Sequence, residues 1–254
     1  ITNNFDGQGL SLGLFNQCLG QGSLQPLLLS YRNTNAAEFK TFFTSAEYTS
    51  INSMLTAWGG TASILSKAVP MSNQYQSDYS SLDDPDLVAA DQGDIFSKAT
   101  VSAKNQKSVA WATAPLYSGS SFRSAWKSAL QKMSGSPAYI SIQIASANAI
   151  HKKALGYMTS YGFTTLPAYL FLFDIIVQNG GLSSTILSQY NTWVKANKSA
   201  SENARLKKLL ALRLVLVVSE YRADVQSRKT AIIDGTGSVH GSGRNFAKEY
   251  CVGT

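Results

Sequence analysis

Histidine, cysteine and charge are all scarce in this 254-residue sequence. His151 and His240 are its two histidines, and Cys18 and Cys251 its two cysteines. Two cysteines are too few for a disulfide scaffold, and they pair only if the two ends of the chain meet. No CxxC spacing occurs, and two histidines exclude a His-rich metal site. No metal or organic cofactor is expected. Charged residues make up only 15%, so Ser, Thr, Asn and Gln carry much of the polar surface, a mix common in exported bacterial proteins. No run of 18 uncharged apolar residues occurs, and no membrane span is expected. The richest run, Leu166 to Val177, is shorter and carries Asp174. No signal peptide is visible. The chain opens at Ile1 rather than Met, and a segment ahead of it is expected.

What is present fits a globular protein. An apolar content of 44% over this length buries a sizeable core, as one large domain or as two lobes. The net charge of +7 is uneven. Residues 1–100 hold 4 Lys/Arg against 9 Asp/Glu, and residues 101–254 hold 18 against 6. A basic lobe facing an acidic one suits an anionic polymer, either nucleic acid or cell-wall glycan. The bland alternative is that the basic helices are solvated faces. No nucleic-acid-binding motif accompanies the charge, so nucleic acid is not the expected partner.

The pattern is mostly helical from Pro26 onward. Asn35 is placed to cap a helix through AAEFKTFFTSAEY, a second helix spans about 49–58 and stops at Gly59-Gly60, and a third covers TASILSKAV. Residues 70–94 read as a solvated loop. Their cluster of Asp83, Asp84, Asp86, Asp91 and Asp94 lacks the order that a calcium loop requires. Further helices are predicted over 120–133, 138–160 and 167–179, the last opened by Pro167 and stopped by Gly180-Gly181. Residues 100–112 stay open. Ser199 and Glu202 form the pattern of a capping box, opening a helix that runs through Leu206, Leu210, Leu214, Val217 and Tyr221 to about Ile233. The tail DGTGSVHGSGRNF reads as a Gly-rich loop.

The chemistry concentrates in FDGQGLSLGLFNQCLGQGS, residues 5–23. Gly7 and Gly9 tolerate positive φ and let another molecule approach the backbone beside Asp6. A carboxylate on such a loop serves as a general base or, more blandly, caps an Asx-type turn. A phosphate cradle is excluded, because no GxxxxGK[ST] lysine follows. Cys18 has no histidine placed as its base and reads as a buried structural thiol. Asp174 lies on an apolar helix face and needs a partner. Of the arginines in 222–228, Arg228 is the choice. Gln8 and Gln21 suit sugar hydroxyls. His240 either closes over substrate or caps the C-terminal helix. Tyr157, Tyr161 and Trp111 pack in the core or stack on sugar rings.

The stretch resembles the active-site hairpin of the chitosanase family grouped with lysozymes, whose pattern is close to GDGRGYTGGIIGFCSGTGD. The acid, the two glycines after it, a hydroxyl residue, the cysteine and the late GxG fall in register. LFDIIVQNGG, residues 172–181, is similar to the family's YYDxxVxHG helix end. RKTAIIDGTGSVHG looks more like phage and secreted bacterial relatives that act on peptidoglycan. The resemblance covers about thirty residues. It implies a mainly α, α+β lysozyme-like fold: a single catalytic domain over 1–254, with two helical lobes and a small hairpin or sheet region lining the cleft. The lobes divide near residue 100, the first acidic and the second basic.

The resemblance further implies hydrolysis of β-1,4 bonds in an amino-sugar polymer by an inverting mechanism. Asp6 matches the catalytic aspartate, Ser11 the residue that holds the attacking water, and Cys18 the family's cysteine. Asp174 and Arg228 correspond to an Asp–Arg network behind the catalytic acid. Gln8 replaces an arginine. The family's general-acid glutamate lies upstream of the aspartate, so it is expected ahead of Ile1; Glu38 and Glu47 lie on the wrong side of Asp6. The expected partner is peptidoglycan, acetylated or deacetylated, or chitosan. The expected setting is secreted or periplasmic, and the expected state a monomer. The alternative is a non-catalytic glycan-binding module on a degenerate hydrolase scaffold.

Overall fold

The computed structural model describes Ile1, Asn4 and residues 7–59, 103–217 and 219–250. The third expected helix and the Asp-rich loop of 70–94 lie outside these residues. The described chain is mainly helical, with three separate antiparallel strand pairs. It divides into two compact units, with the boundary between Asn148 and Ala149.

The first unit opens with a hairpin, β1 (Ser11–Leu12) and β2 (Gln17–Cys18), followed by α1 (Gln25–Thr34), α2 (Ala36–Thr41) and α3 (Ser45–Gly59). The single helix expected over AAEFKTFFTSAEY is two. Thr44 opens α3 as a capping box: its N–H donates to Glu47 Oε2 at 2.9 Å, and its hydroxyl oxygen accepts the Glu47 N–H at 3.3 Å. The described part of the undecided stretch 100–112 lies in α4 (Ala103–Thr113). A second hairpin follows, β3 (Tyr117–Ser118) and β4 (Ser121–Phe122), then α5 (Ser124–Ser134). Trp126, Ala129, Leu130 and Met133 are the buried face of α5, at helical spacing. The long helix α6 (Pro137–Tyr161) continues into the second unit. Leu10, Leu12 and Leu19 of the N-terminal hairpin share one core with Leu28, Tyr31, Phe39, Ile51 and Leu130.

The second unit comprises the end of α6, then α7 (Leu166–Asn179), α8 (Ser184–Ala196), α9 (Glu202–Leu214) and α10 (Ser219–Asp234). A hairpin, β5 (Thr236–Val239) with β6 (Ser242–Asn245), and the short α11 (Phe246–Glu249) complete it. Pro167 opens α7 as expected, and Gly180 ends it in the left-handed conformation. Helix α8, capped by Ser183, was not anticipated.

The capping box read at Ser199 is not the one formed. Ser201 is the N-cap of α9 and accepts the Ala204 N–H at 3.2 Å, while Glu202 turns to the start of α7. The continuous helix expected to Ile233 is two, one ending at Leu214 and the next starting at Ser219. Lys207 and Asn203 of α9 bond Asp234 at the far end of α10, so the chain reverses and both helices face one core. That core holds Phe171, Leu172, Ile175, Tyr190, Leu206, Leu209, Ala231 and Val239. The tail expected as a loop is the β5–β6 hairpin, turned at His240-Gly241 with both φ angles positive. Gly237 lies so close to α10 that a Cβ there would stand 2.6 Å from the Ala231 Cβ.

The charge division near residue 100 does not coincide with the structural one. Among the described residues the first unit carries seven Lys/Arg against two Asp/Glu, and the second 13 against six. Both are basic. No helix of the described residues is long and apolar enough to cross a membrane.

Candidate functional site

Asp6 lies outside the described residues, but the loop that follows it is closely specified. The Gly7 N–H donates to Asn4 O at 3.4 Å, and the Gly9 N–H to Asn4 Oδ1 at 2.6 Å. Gly9 sits at φ +80, where a Cβ would stand 3.1 Å from Val109 Cα and 3.3 Å from Ala112 Cβ. Its carbonyl accepts the Tyr117 hydroxyl at 2.7 Å from the second hairpin. The N–H groups of Leu19 and Gly20 donate to Leu10 O and Gln8 O, both at 3.1 Å. At the hairpin's far end Gln143 of α6 accepts the Leu14 N–H at 2.8 Å. These bonds tie Asn4, Leu19–Gly20 and Tyr117 to the residues just after Asp6, and Gln143 to the hairpin's far end. Rigidity of this kind is what a site needs to hold a reacting group in place.

The other sequence-assigned residues of this loop take distinct roles. Ser11 is buried in β1, opposite Cys18. Cys18 is buried, and its thiol donates to Gln8 Oε1 at 3.3 Å. Gln8 therefore spends its carboxamide oxygen inside the hairpin. Gln21 is half-buried in the turn after β2. Cys251 lies outside the described residues. Among the aromatics, Trp111 donates from Nε1 to Ser50 at 2.9 Å and meets Trp126 edge-on. Tyr157 accepts the Leu182 N–H at 3.1 Å, and Tyr161 packs on Tyr190.

In the second unit Asp174 of α7 meets α10. Arg228 was the expected partner, and it does reach Asp174, from Nη2 to Oδ2 at 3.4 Å. The nearer partner is Lys229, whose ammonium donates to the same oxygen. Lys229 is 0% exposed, against about a quarter for the side chains of Asp174 and Arg228. Burial pushes the Lys229 ammonium down to about 8, with the Asp174 carboxylate acting in the opposite direction and Arg228 reinforcing the fall. Asp174 is thus served chiefly by a lysine the sequence reading passed over. The signal was available: Val225, Lys229, Ile232 and Ile233 share the buried face of α10. A lysine on that face has to meet an acid.

His240, at the exposed hairpin turn, places Nδ1 3.0 Å from Asp224 Oδ1 on α10. It is tied neither to Asp174 nor to the end of the C-terminal helix. Among the described residues, no three of His, Cys, Asp and Glu gather as metal ligands would. The hairpin residues Gln8, Ser11 and Gln21 belong to the first unit, and Asp174, Arg228 and His240 to the second. No family model, curated protein or solved structure matches the chain.

Proposed function

We propose that this protein hydrolyses β-1,4 glycosidic bonds in an amino-sugar polymer. Asp6 is the general base of an inverting mechanism. The observation that carries this reading is the loop after Asp6. Its sequence resembles the chitosanase hairpin, and its backbone is bonded to α6, to the second hairpin and to the segment before it. A base that activates water needs a fixed direction, and a loop bonded in this way suits that task. A water met by the buried Ser11 hydroxyl would be enclosed rather than drawn from bulk solvent.

Glycoside hydrolysis by inversion takes two carboxyl groups, roughly 6.5–9.5 Å apart. Glu47 is committed to the α3 capping box and is not the second. Gln21 and Gln8 contact sugar hydroxyls.

The polymer is peptidoglycan rather than chitosan. Chitosan is a polycation, whereas muramic acid and stem peptides carry carboxylates, and both described units carry excess positive charge. The setting is then outside the cytoplasm. The test is Asp6→Asn in the intact protein, digesting acetylated peptidoglycan, deacetylated peptidoglycan and chitosan, with products read by mass. We expect turnover to fall by about 10²–10⁴-fold with the fold unchanged. Near-normal turnover would remove Asp6 from the mechanism. Cleavage of chitosan alone would change the substrate, and binding without cleavage of any polymer would make the protein a glycan-binding module.

A further inference from the structure

We infer that Lys229 is a positioning residue: by occupying Asp174 it leaves the Arg228 guanidinium open to a second carboxylate. Three observations carry this. The first is redundancy. Two cations, Arg228 and Lys229, converge on one oxygen of one carboxylate. Arginine alone would satisfy an aspartate, bidentately and at every pH. The second is what Arg228 is left with. A guanidinium has five N–H donors. Among the described residues Arg228 uses one, in a long contact of 3.4 Å, and its Nε is buried with no partner. Such an orphan donor carries a desolvation cost, which a paired arginine would not incur. The third is the setting of Lys229. A fully buried ammonium is a net cost unless something else uses it, and an apolar side chain of similar length would fill the same space.

The cluster carries one more positive than negative charge in the Asp174–Arg228–Lys229 triad, and it reaches solvent through Asp174 and Arg228. A planar carboxylate matches the charge and the guanidinium edge. The groups facing Lys229 are Asp174 from α7, Arg213 from α9 and Arg228 of its own helix. On the β5–β6 hairpin His240 faces Asp224 instead. When Lys229 is neutral, Arg228 is the remaining cation on Asp174 among the described residues, and the guanidinium closes onto it. As a step in glycan binding this rests on the function proposed above, with muramyl or stem-peptide carboxylates as the visitors; as a property of the cluster it does not.

The experiment follows the labelled guanidinium Cζ resonance of Arg228, assigned by its loss in Arg228→Lys. Sodium acetate is titrated into the 254-residue chain, against sodium chloride at equal ionic strength. At pH 7 we expect a saturable shift with acetate and not with chloride. Lys229→Met, checked for fold by circular dichroism, should bind acetate at least about tenfold more weakly, since it removes one nearby positive charge. Raising wild type from pH 7 to pH 9.5 neutralises Lys229 without mutation and should weaken acetate in the same way. The pH series decides the matter if the variant does not fold. A response to acetate no different from chloride, or one unchanged by both pH and Lys229→Met, overturns the inference. A muropeptide and its amidated form then distinguish the source. Tighter binding of the free acid assigns the carboxylate to substrate, and equal binding assigns it to the protein's own acid. Neither result depends on turnover, so failure of the hydrolase reading is separately visible.

Discussion

Lys229 and Gly9 show how single residues carry cost for position. The ammonium of Lys229 titrates near 8 when folded and near its ordinary value of 10.5 when unfolded. Between those values the unfolded chain binds more protons, so this residue makes stability rise with pH. Below pH 8 both states are protonated and it contributes no slope. Relief of the buried charge is worth on the order of 3 kcal/mol by the top of that window. Urea unfolding at pH 8 and 9.5 should therefore show wild type gaining on Lys229→Met as pH rises. A gap that stays constant would mean Lys229 does not titrate there. Gly9 is a steric case. Alanine at φ +80 costs about 1–2 kcal/mol in backbone strain, and its Cβ meets Val109 and Ala112 within 3.3 Å. We expect Gly9→Ala to lower stability by roughly 1–3 kcal/mol, read as a shift in the urea midpoint.

Helix termini decide more here than helix interiors do. Glu202 sits in the first turn of α9 yet serves α7, accepting the N–H groups of Thr164 at 3.0 Å and Thr165 at 2.9 Å. Partial burial raises its carboxyl, but the bonds from Thr165 and Thr164 outweigh it and hold the group below the usual carboxylate range. A depressed carboxylate stabilises the fold above its unfolded value, and that contribution is lost as pH falls through the folded one. Glu202→Gln should lower stability at pH 7 by about 1 kcal/mol, the scale of a lost N-cap. It should also flatten the acid limb of the stability curve below about pH 4.5. An acid limb identical to wild type would remove Glu202 from this role. Sequence reading mistook Glu202 for the partner of Ser199, because a capping box is defined by spacing within one helix. A bond to a terminus 37 residues away leaves no mark in spacing.

Each unit of the molecule has its own core. Leu28 belongs to one and Leu209 to the other, both 0% exposed. Leu→Ala in a core costs roughly 2–5 kcal/mol. We expect Leu28→Ala and Leu209→Ala to move different parts of the calorimetric trace, so that unfolding of the intact chain departs from a single two-state transition. If both substitutions shift one common peak equally, the units are coupled. The electrostatics also change character at this scale. Among the described residues, basic residues 103–148 belong to the same unit as residues 7–59, so that unit carries excess positive charge. The charge argument for an anionic glycan therefore rests on excess positive charge in both described units.

Local rules in the sequence determined the helical class, the opening of α7 at Pro167 and its end at Gly180, and the tight glycine loop after Asp6. Each depends on residues within a few positions of one another, where apolar spacing, a fixed φ or a missing Cβ decides the outcome. The capping box of α3 and the His240-Gly241 turn were written in the same local code and went unread. Tertiary structure decided the rest. It broke the long C-terminal helix into α9 and α10, since reversal lets both bury their apolar faces against α7. It sent Glu202 to another helix, and it set Lys229 beside Asp174 across 55 positions of sequence. A buried charge takes whichever partner packing brings within reach, and distance along the chain does not encode that.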